Sequence, residues 1–295
     1  GQAVVAERYT YIPYIGLFMI LGRIYLYLGQ KTRSFSPAFQ HAHTVALGII
    51  FIVFACGAYA RNAVWKDTLT LFSDVIDKHP ETGIAYNNRG NARRDQKDFQ
   101  GAMEDYNKAI EQNYNDAYNN RGILKNRMGH YEDAAEDFTR ALRGASERDI
   151  AYYNRGIAKL NLGDFSGAVE DFGKAIEINP RHADAYNNRG FARYEKLLDF
   201  AGAVDDFDAA IRLRPAEPDL YYNRGNAKTL AGRLESAIKD YDLALQLKPD
   251  YGAAYFNKGI ALLKLGQTVP ACASWDKALA SGAAQAAKPI EMYCR

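Results

Sequence analysis

The sequence predicts an all-α chain in which two apolar helices lead into an array of helical hairpins. Three observations carry this. One stretch, clearest as Ala185-Tyr186-Asn187-Asn188-Arg189-Gly190, recurs six times, with glycines at Gly90, Gly122, Gly156, Gly190, Gly225 and Gly259. Their separations are 32, 34, 34, 35 and 34 residues, a period that belongs to stacked helical units. Ahead of the array lie two apolar segments, residues 11–28 and 44–60.

The front of the chain comes first. Residues 44–60 are uncharged and reach the roughly 17 residues a spanning helix needs. Residues 11–28 contain Arg23, which is costly at mid-membrane but can snorkel near an end. Two transmembrane helices are expected, since nothing else in the chain offers these segments a core. Lys31 and Arg33 place the linker between them on the cytoplasmic side, which puts the array outside the cytoplasm. Gly1 is not an initiator methionine, so a processed product or the later part of a longer chain is expected.

A half-repeat follows at Trp65 to His79, with an apolar stripe of Leu69, Phe72, Val75 and Ile76 stopped by Pro80. Counting back from Phe72, the glycine phase falls on Cys56, so a rigid junction between membrane helix and array is expected.

In each full repeat an aromatic (Tyr86, Tyr118, Tyr152, Tyr186, Tyr221, Tyr255) precedes the glycine by four residues. Both then share one helix face. Mid-helix glycine costs roughly 1 kcal/mol against alanine, so six in phase point to close helix packing. A turn follows, as in Lys97-Asp98-Phe99 and Gly163-Asp164-Phe165. The second helix carries an i, i+4, i+7 stripe: Ala102, Tyr106 and Ala109 in the first copy, Ala271, Trp275 and Ala278 in the last. Pro180, Pro215 and Pro249 end three of these helices.

This pattern resembles the tetratricopeptide repeat family from about Gly83 to Gln285. The resemblance implies a right-handed superhelix, an α-solenoid, with a concave groove that holds proteins or peptides. The fold class is thus all-α: two transmembrane helices, then the superhelix. The divisions are 1–62 for the membrane segment, 63–82 for the junction helix, 83–285 for six repeats starting near 83, 115, 149, 183, 218 and 252, and 286–295 for a tail. The first copy is short and lacks its proline near Tyr114, the second has Ser146 there, and the fourth has one extra residue near Leu197-Leu198. A second resemblance covers about residues 3–80. Glu7-Arg8-Tyr9-Thr10-Tyr11-Ile12-Pro13-Tyr14-Ile15-Gly16 and Trp65-Lys66-Asp67 are similar to the late membrane segment of multi-span glycosyltransferases that use lipid-linked sugars and end in such repeats, the transmembrane O-mannosyltransferases among them. That family's catalytic acids lie upstream of this segment, and no position here matches them.

The candidate binding residues sit two positions before each glycine: Asn88, Asn120, Asn154, Asn188, Asn223 and Asn257. At about 100° per residue they point away from the packed face. Asparagine is a poor mid-helix residue, so the phase needs a reason. One reading is a ladder of amides for an extended peptide, which resembles the asparagine ladder of O-GlcNAc transferase. The other is that each amide ties neighbouring helices. Asn91, Tyr194, Asn226 and Asn126 extend the groove candidates; the lysines of a carboxylate clamp are missing.

One residue before each glycine is a base: Arg89, Arg121, Arg155, Arg189, Arg224 and Lys258. The second helices answer with Asp105, Asp137, Asp171, Asp206 and Asp240, then Ser274. Matched register predicts five structural ion pairs, since a planar guanidinium meets a carboxylate two-handed.

No catalytic, metal or cofactor site is expected. Asp206-Phe207-Asp208, Asp240-Tyr241-Asp242 and Asp171-Phe172-Gly173 imitate catalytic motifs, but their middle residue is the stripe aromatic. The five histidines show no ligand spacing, and Cys56, Cys272 and Cys294 suggest no framework. A net charge of +2 with 24% charged residues argues against nucleic acid as a partner. After Leu279 the alanine-rich stretch 283–287 and Pro289 suggest a weak cap that leaves Trp275 and Leu279 partly exposed for a partner or second copy, unless Ile290-Glu291-Met292-Tyr293 folds back.

Three functions fit. The first is a membrane-anchored scaffold holding a protein or peptide. The second is the non-catalytic end of a membrane glycosyltransferase whose repeats present protein acceptors. The third is a subunit packed in membrane lipid against other subunits. The bacterial inner membrane is favoured over the endoplasmic reticulum.

Overall fold

The computed structural model describes residues 66–144 and 148–294, with isolated positions between 23 and 57. Two compact units divide the chain, Gly1–Tyr114 and Asn115–Arg295. No strand occurs among the described residues. No helix among them is long and apolar enough to cross a membrane. The two expected spans fall largely outside the described residues. Of the first, Arg23 and Tyr27 are described. Of the second, helical positions such as Val45, Ile49, Ile52 and Val53 are described, and their side chains are exposed. The junction at 58–65 and Ser146 also lie outside.

The first unit contains α1 (Thr68–Lys78), α2 (Gly83–Asp95) and α3 (Phe99–Glu111). Asp67 caps α1 by accepting from the Thr70 N–H at 2.8 Å. Phe72, Val75 and Ile76 of α1 pack on Ala85 and Tyr86 of α2.

The second unit holds α4 (Asp116–Arg127), α5 (Tyr131–Ala141), α6 (Arg148–Asn161), α7 (Phe165–Ile178), α8 (Ala183–Glu195), α9 (Phe200–Leu213), α10 (Pro218–Leu230), α11 (Leu234–Leu247), α12 (Gly252–Lys264), α13 (Thr268–Ala280), a 3₁₀ turn (Ala284–Ala286) and α14 (Ala287–Tyr293). Within this unit, α6, α8, α10 and α12 each pack on the helix that follows and on the helix before.

The hairpins close by a shared device. The turn residue seven or eight positions after each glycine has positive φ: Lys97 (66°), Gly129 (84°), Gly163 (81°), Leu198 (56°), Gly232 (74°) and Gly266 (75°). Four are glycine, which takes this conformation without a Cβ clash. Leu198 absorbs the extra residue of the fourth repeat. The Asp98, Asp164 and Asp199 side chains then cap the second helices, accepting from the N–H of Gly101, Gly167 and Gly202 at 2.9, 3.0 and 2.9 Å.

The packing contact is a ring on a bare Cα. A Cβ on Gly156 would lie 2.7 Å from Phe172 Cε1, and one on Gly225 would lie 2.7 Å from Tyr241 Cε1. The stripe aromatics Tyr106, Phe138, Phe172, Phe207, Tyr241 and Trp275 are all buried.

The C-terminal end corrects two expectations. Cys272 and Cys294 form a disulfide. Trp275 is buried, beneath a tail that folds back with Ile290 and Cys294 against it and the Tyr293 ring 6.1 Å away. Leu279 stays 45% exposed. Pro289 falls in the first turn of α14, where a missing N–H breaks no helical bond.

Two outcomes follow. Gly156→Ala should lower stability by about 1–3 kcal/mol through overpacking. Helix propensity alone would raise it by about 1 kcal/mol, so the shift of the urea midpoint has a decisive sign. Cys294→Ser opens a link of sequence separation 22. It should cost about 3 kcal/mol and abolish the wild-type's sensitivity of the urea midpoint to dithiothreitol.

Candidate peptide-binding face

The ion pairs are the frame of the site. Arg89 donates to Asp105 through Nε and Nη2 at 2.9 and 2.7 Å. The same fork joins Arg121 to Asp137 at 2.8 and 2.6 Å, Arg155 to Asp171 at 2.8 and 2.7 Å, and Arg224 to Asp240 at 2.9 and 2.5 Å. In the fourth repeat Arg189 reaches Asp206 at 3.1 and 2.6 Å. All five aspartates are buried. Hydrogen bonding to Asp105 and to Asp171 raises the pKa of Arg89 and of Arg155. Each guanidinium also lies 5.5–5.6 Å from the ring of its own helix's tyrosine.

A second base completes each pair, and the sequence reading missed it. Arg93, Lys125, Lys159, Arg193 and Lys228 sit one turn further on and reach the same aspartates at 3.1, 2.9, 2.8, 2.8 and 2.7 Å. Their signal was a base three residues after each of the first five glycines, with Leu262 at that place after Gly259. Two cations thus face one buried carboxylate, and all five second bases keep some exposure to water. The first base also splices repeats. Arg155 donates to Thr139 at 3.0 Å, Arg224 to Asp208 at 2.5 Å and Lys258 to Asp242 at 2.6 Å, each on the preceding repeat's second helix. Lys258 therefore pairs backwards, while Ser274 donates to the Pro270 carbonyl at 3.0 Å.

The asparagines use their N–H groups between repeats. Asn154 donates to Asn119 at 3.1 Å, Asn188 to the Tyr153 hydroxyl at 3.1 Å, Asn223 to Asn187 at 3.1 Å and Asn257 to the Tyr222 hydroxyl at 3.0 Å. The acceptors occupy the position just before the asparagine phase. Asn88, in the first unit, accepts from Asn87 at 3.4 Å. Asn120 is half-buried at the same phase of α4. Of the two readings of this row, the tie between helices is present. It leaves the Oδ1 atoms of Asn154, Asn223 and Asn257 without a donor among the described residues. Asn126 has a buried Oδ1 with no partner among them either.

Asn91 and Asn226 also serve the packing of the second helices. The Tyr106 hydroxyl donates to Asn91 Oδ1 at 2.8 Å, and the Tyr241 hydroxyl to Asn226 Oδ1 at 3.0 Å. Where the stripe aromatic is Phe138, Phe172 or Phe207, the matching residue is Ile123, Ile157 or Phe191. A buried phenol needs an acceptor, and a buried phenyl ring does not.

Between α8, α10 and α12 lies a cleft of 270 Å³. Tyr194 and Glu195 line it from α8, Asn226, Thr229 and Leu230 from α10, and Asn257, Ile260 and Lys264 from α12, with Tyr241 beneath. Its polar groups are linked: Asn257 Nδ2 donates to Asn226 Oδ1 at 2.8 Å, and Thr229 lies 2.9 Å from the Tyr241 hydroxyl. Burial pushes Tyr194 up to about 12 and lifts Tyr241 further. Among the described residues no group of three His, Cys, Asp or Glu could hold a metal ion.

Residues 83–113 and 150–182 match the tetratricopeptide repeat family, and residues 225–266 match a TPR repeat. These are tetratricopeptide repeats. MamA from Desulfovibrio magneticus RS-1 superposes with a TM-score of 0.55 at 24% identity, covering 58% of this chain and 96% of that one. YrrB, described as a TPR protein with an unusual peptide-binding site, gives 0.55 at 25% identity and covers 62% and 95%. The human protein O-mannosyl-transferase TMTC3 is 25% identical over 100 residues, 34% of this chain. The Drosophila melanogaster Tmtc3 is 27% identical over 107 residues. These matches span only 10% and 11% of the relatives' own lengths.

The frame is testable on Arg189 and Asp206. Asp206→Asn leaves two bases facing a neutral amide and should cost about 3–5 kcal/mol. A double-mutant cycle with Arg189→Lys should return a coupling near 2 kcal/mol; a value within error of zero would make the pair a bystander.

Proposed function

We propose that the chain is a membrane-anchored scaffold whose first-helix face binds a protein or peptide. The supporting observation is the row of amides on α6, α8, α10 and α12. Bonds to the preceding repeat hold each amide in place, and three of the Oδ1 atoms still lack a donor. Pre-positioned acceptors suit the N–H groups of an extended chain and need no further ordering of their own on binding. The likeness to YrrB, described by its peptide-binding site, points the same way.

Anchoring rests on residues 11–28 and 44–60. Ile49, Ile50, Ile52 and Val53 are exposed around the helix circumference, as lipid-facing residues are. An array outside the cytoplasm fits both Lys31 and Arg33 in the linker and the Cys272–Cys294 disulfide, which persists in oxidising compartments. The bacterial inner membrane remains the favoured membrane, with lipid and neighbouring subunits as further partners.

A photo-crosslinking residue at Glu195 or Lys264, in the native membrane, should give a discrete protein adduct, and one at Lys239 on the opposite helix should not. Equal adducts from all three sites would sink the groove reading. Alkaline carbonate should leave the chain in the membrane pellet; release into the supernatant would remove the anchor.

The similarity to the O-mannosyl-transferases favours a second reading, in which these residues are the non-catalytic end of such an enzyme and the repeats present its acceptor. The intact mass of the native chain decides: a value well above 33.0 kDa supports this reading, and 33.0 kDa removes it.

A further inference from the structure

We propose that the cleft between α8, α10 and α12 is a single-residue pocket for a tyrosine side chain of a bound peptide. The inference rests on the groove reading above and names what one position of the groove selects. Its volume of 270 Å³ lies at the lower end of the roughly 300–1,000 Å³ of small-molecule sites, room for one side chain.

The lining is amphipathic. Leu230 and Ile260 offer apolar wall, while the inner end carries the phenol of Tyr194 and the amides of Asn226 and Asn257. The inner groups are already organised by bonds to one another and to Tyr241 and Thr229. Asn257 Oδ1 is left as an acceptor. A planar side chain with a hydroxyl at its tip fills the wall and meets that acceptor. Glu195 and Lys264 stand exposed at the mouth with opposite charges, so neither sign of side chain is favoured. The other repeats do not offer this combination. Tyr194 is matched there by Arg94, Asn126, Leu160, Thr229 and Leu263, and Asn226 by Ile123, Ile157, Phe191 and Ile260 in four of five.

The second and third repeats supply a control that should fold. The pair Asn226→Ile with Tyr241→Phe installs the Ile and Phe combination they already carry, fills the cleft and removes its polar floor. The ¹⁵N-labelled full chain in detergent is titrated with blocked Gly-Gly-Tyr-Gly-Gly and with the same peptide carrying Phe, Leu or Ala. Tyrosine should shift the amides around residues 226 and 257. It should bind roughly fivefold to tenfold more tightly than phenylalanine, the worth of one hydrogen bond. The double variant should lose at least that factor. Equal binding of Tyr and Ala, or an unchanged double variant, overturns the pocket. If shifts then persist around Asn154 and Asn188, the groove reading survives alone; if no peptide shifts any first-helix amide, both readings fall.

Discussion

The array depends on one contact, an aromatic ring of the second helix seated on a glycine Cα of the first. Phe172 on Gly156 and Tyr241 on Gly225 approach so closely that any Cβ would collide. This sets the distance between the helices of a hairpin. At that distance an arginine one residue before the glycine reaches the aspartate one residue before the ring. The fork geometry then holds the rotation of one helix against the other, because a bidentate pair tolerates little twist.

Burial gives the pairs their weight. A carboxylate at Asp171, with both oxygens occupied by Arg155 and Lys159, is too costly to leave unpaired. The same arginine reaches the preceding helix at Thr139. One residue therefore fixes a hairpin and its join to the one before. In the last repeat Ser274 stands in place of the acid, and the base Lys258 makes the backward bond to Asp242. Stacking there is taken over by the tail, pinned through Cys272 and Cys294.

With hairpin and stacking fixed by glycine, ring and ion pair, the remaining first-helix face is free to vary. The asparagine row spends its N–H groups on neighbouring repeats, so structure and binding share one residue type. The local variation is concentrated where Tyr194, Asn226 and Asn257 meet. There the stripe residue is Tyr241, where the second to fourth repeats carry phenylalanine, and Asn226 accepts from its hydroxyl.

The sequence by itself determined the hairpin register. Glycine, aromatic and alanine recur at fixed spacings, and only helices packed face to face place those residues together. It also determined the matched Arg and Asp, because local phase decides which side of a helix a residue occupies. The tertiary structure decided what spans separate repeats. Asn188 finding Tyr153, Lys258 turning back to Asp242 and Asn226 lying over Tyr241 depend on how one helix sits against another, which a periodic pattern does not encode. The tail belongs with these. The spacing of Cys272 and Cys294 is silent about pairing, and only the return of α14 over Trp275 brings the two sulfurs together.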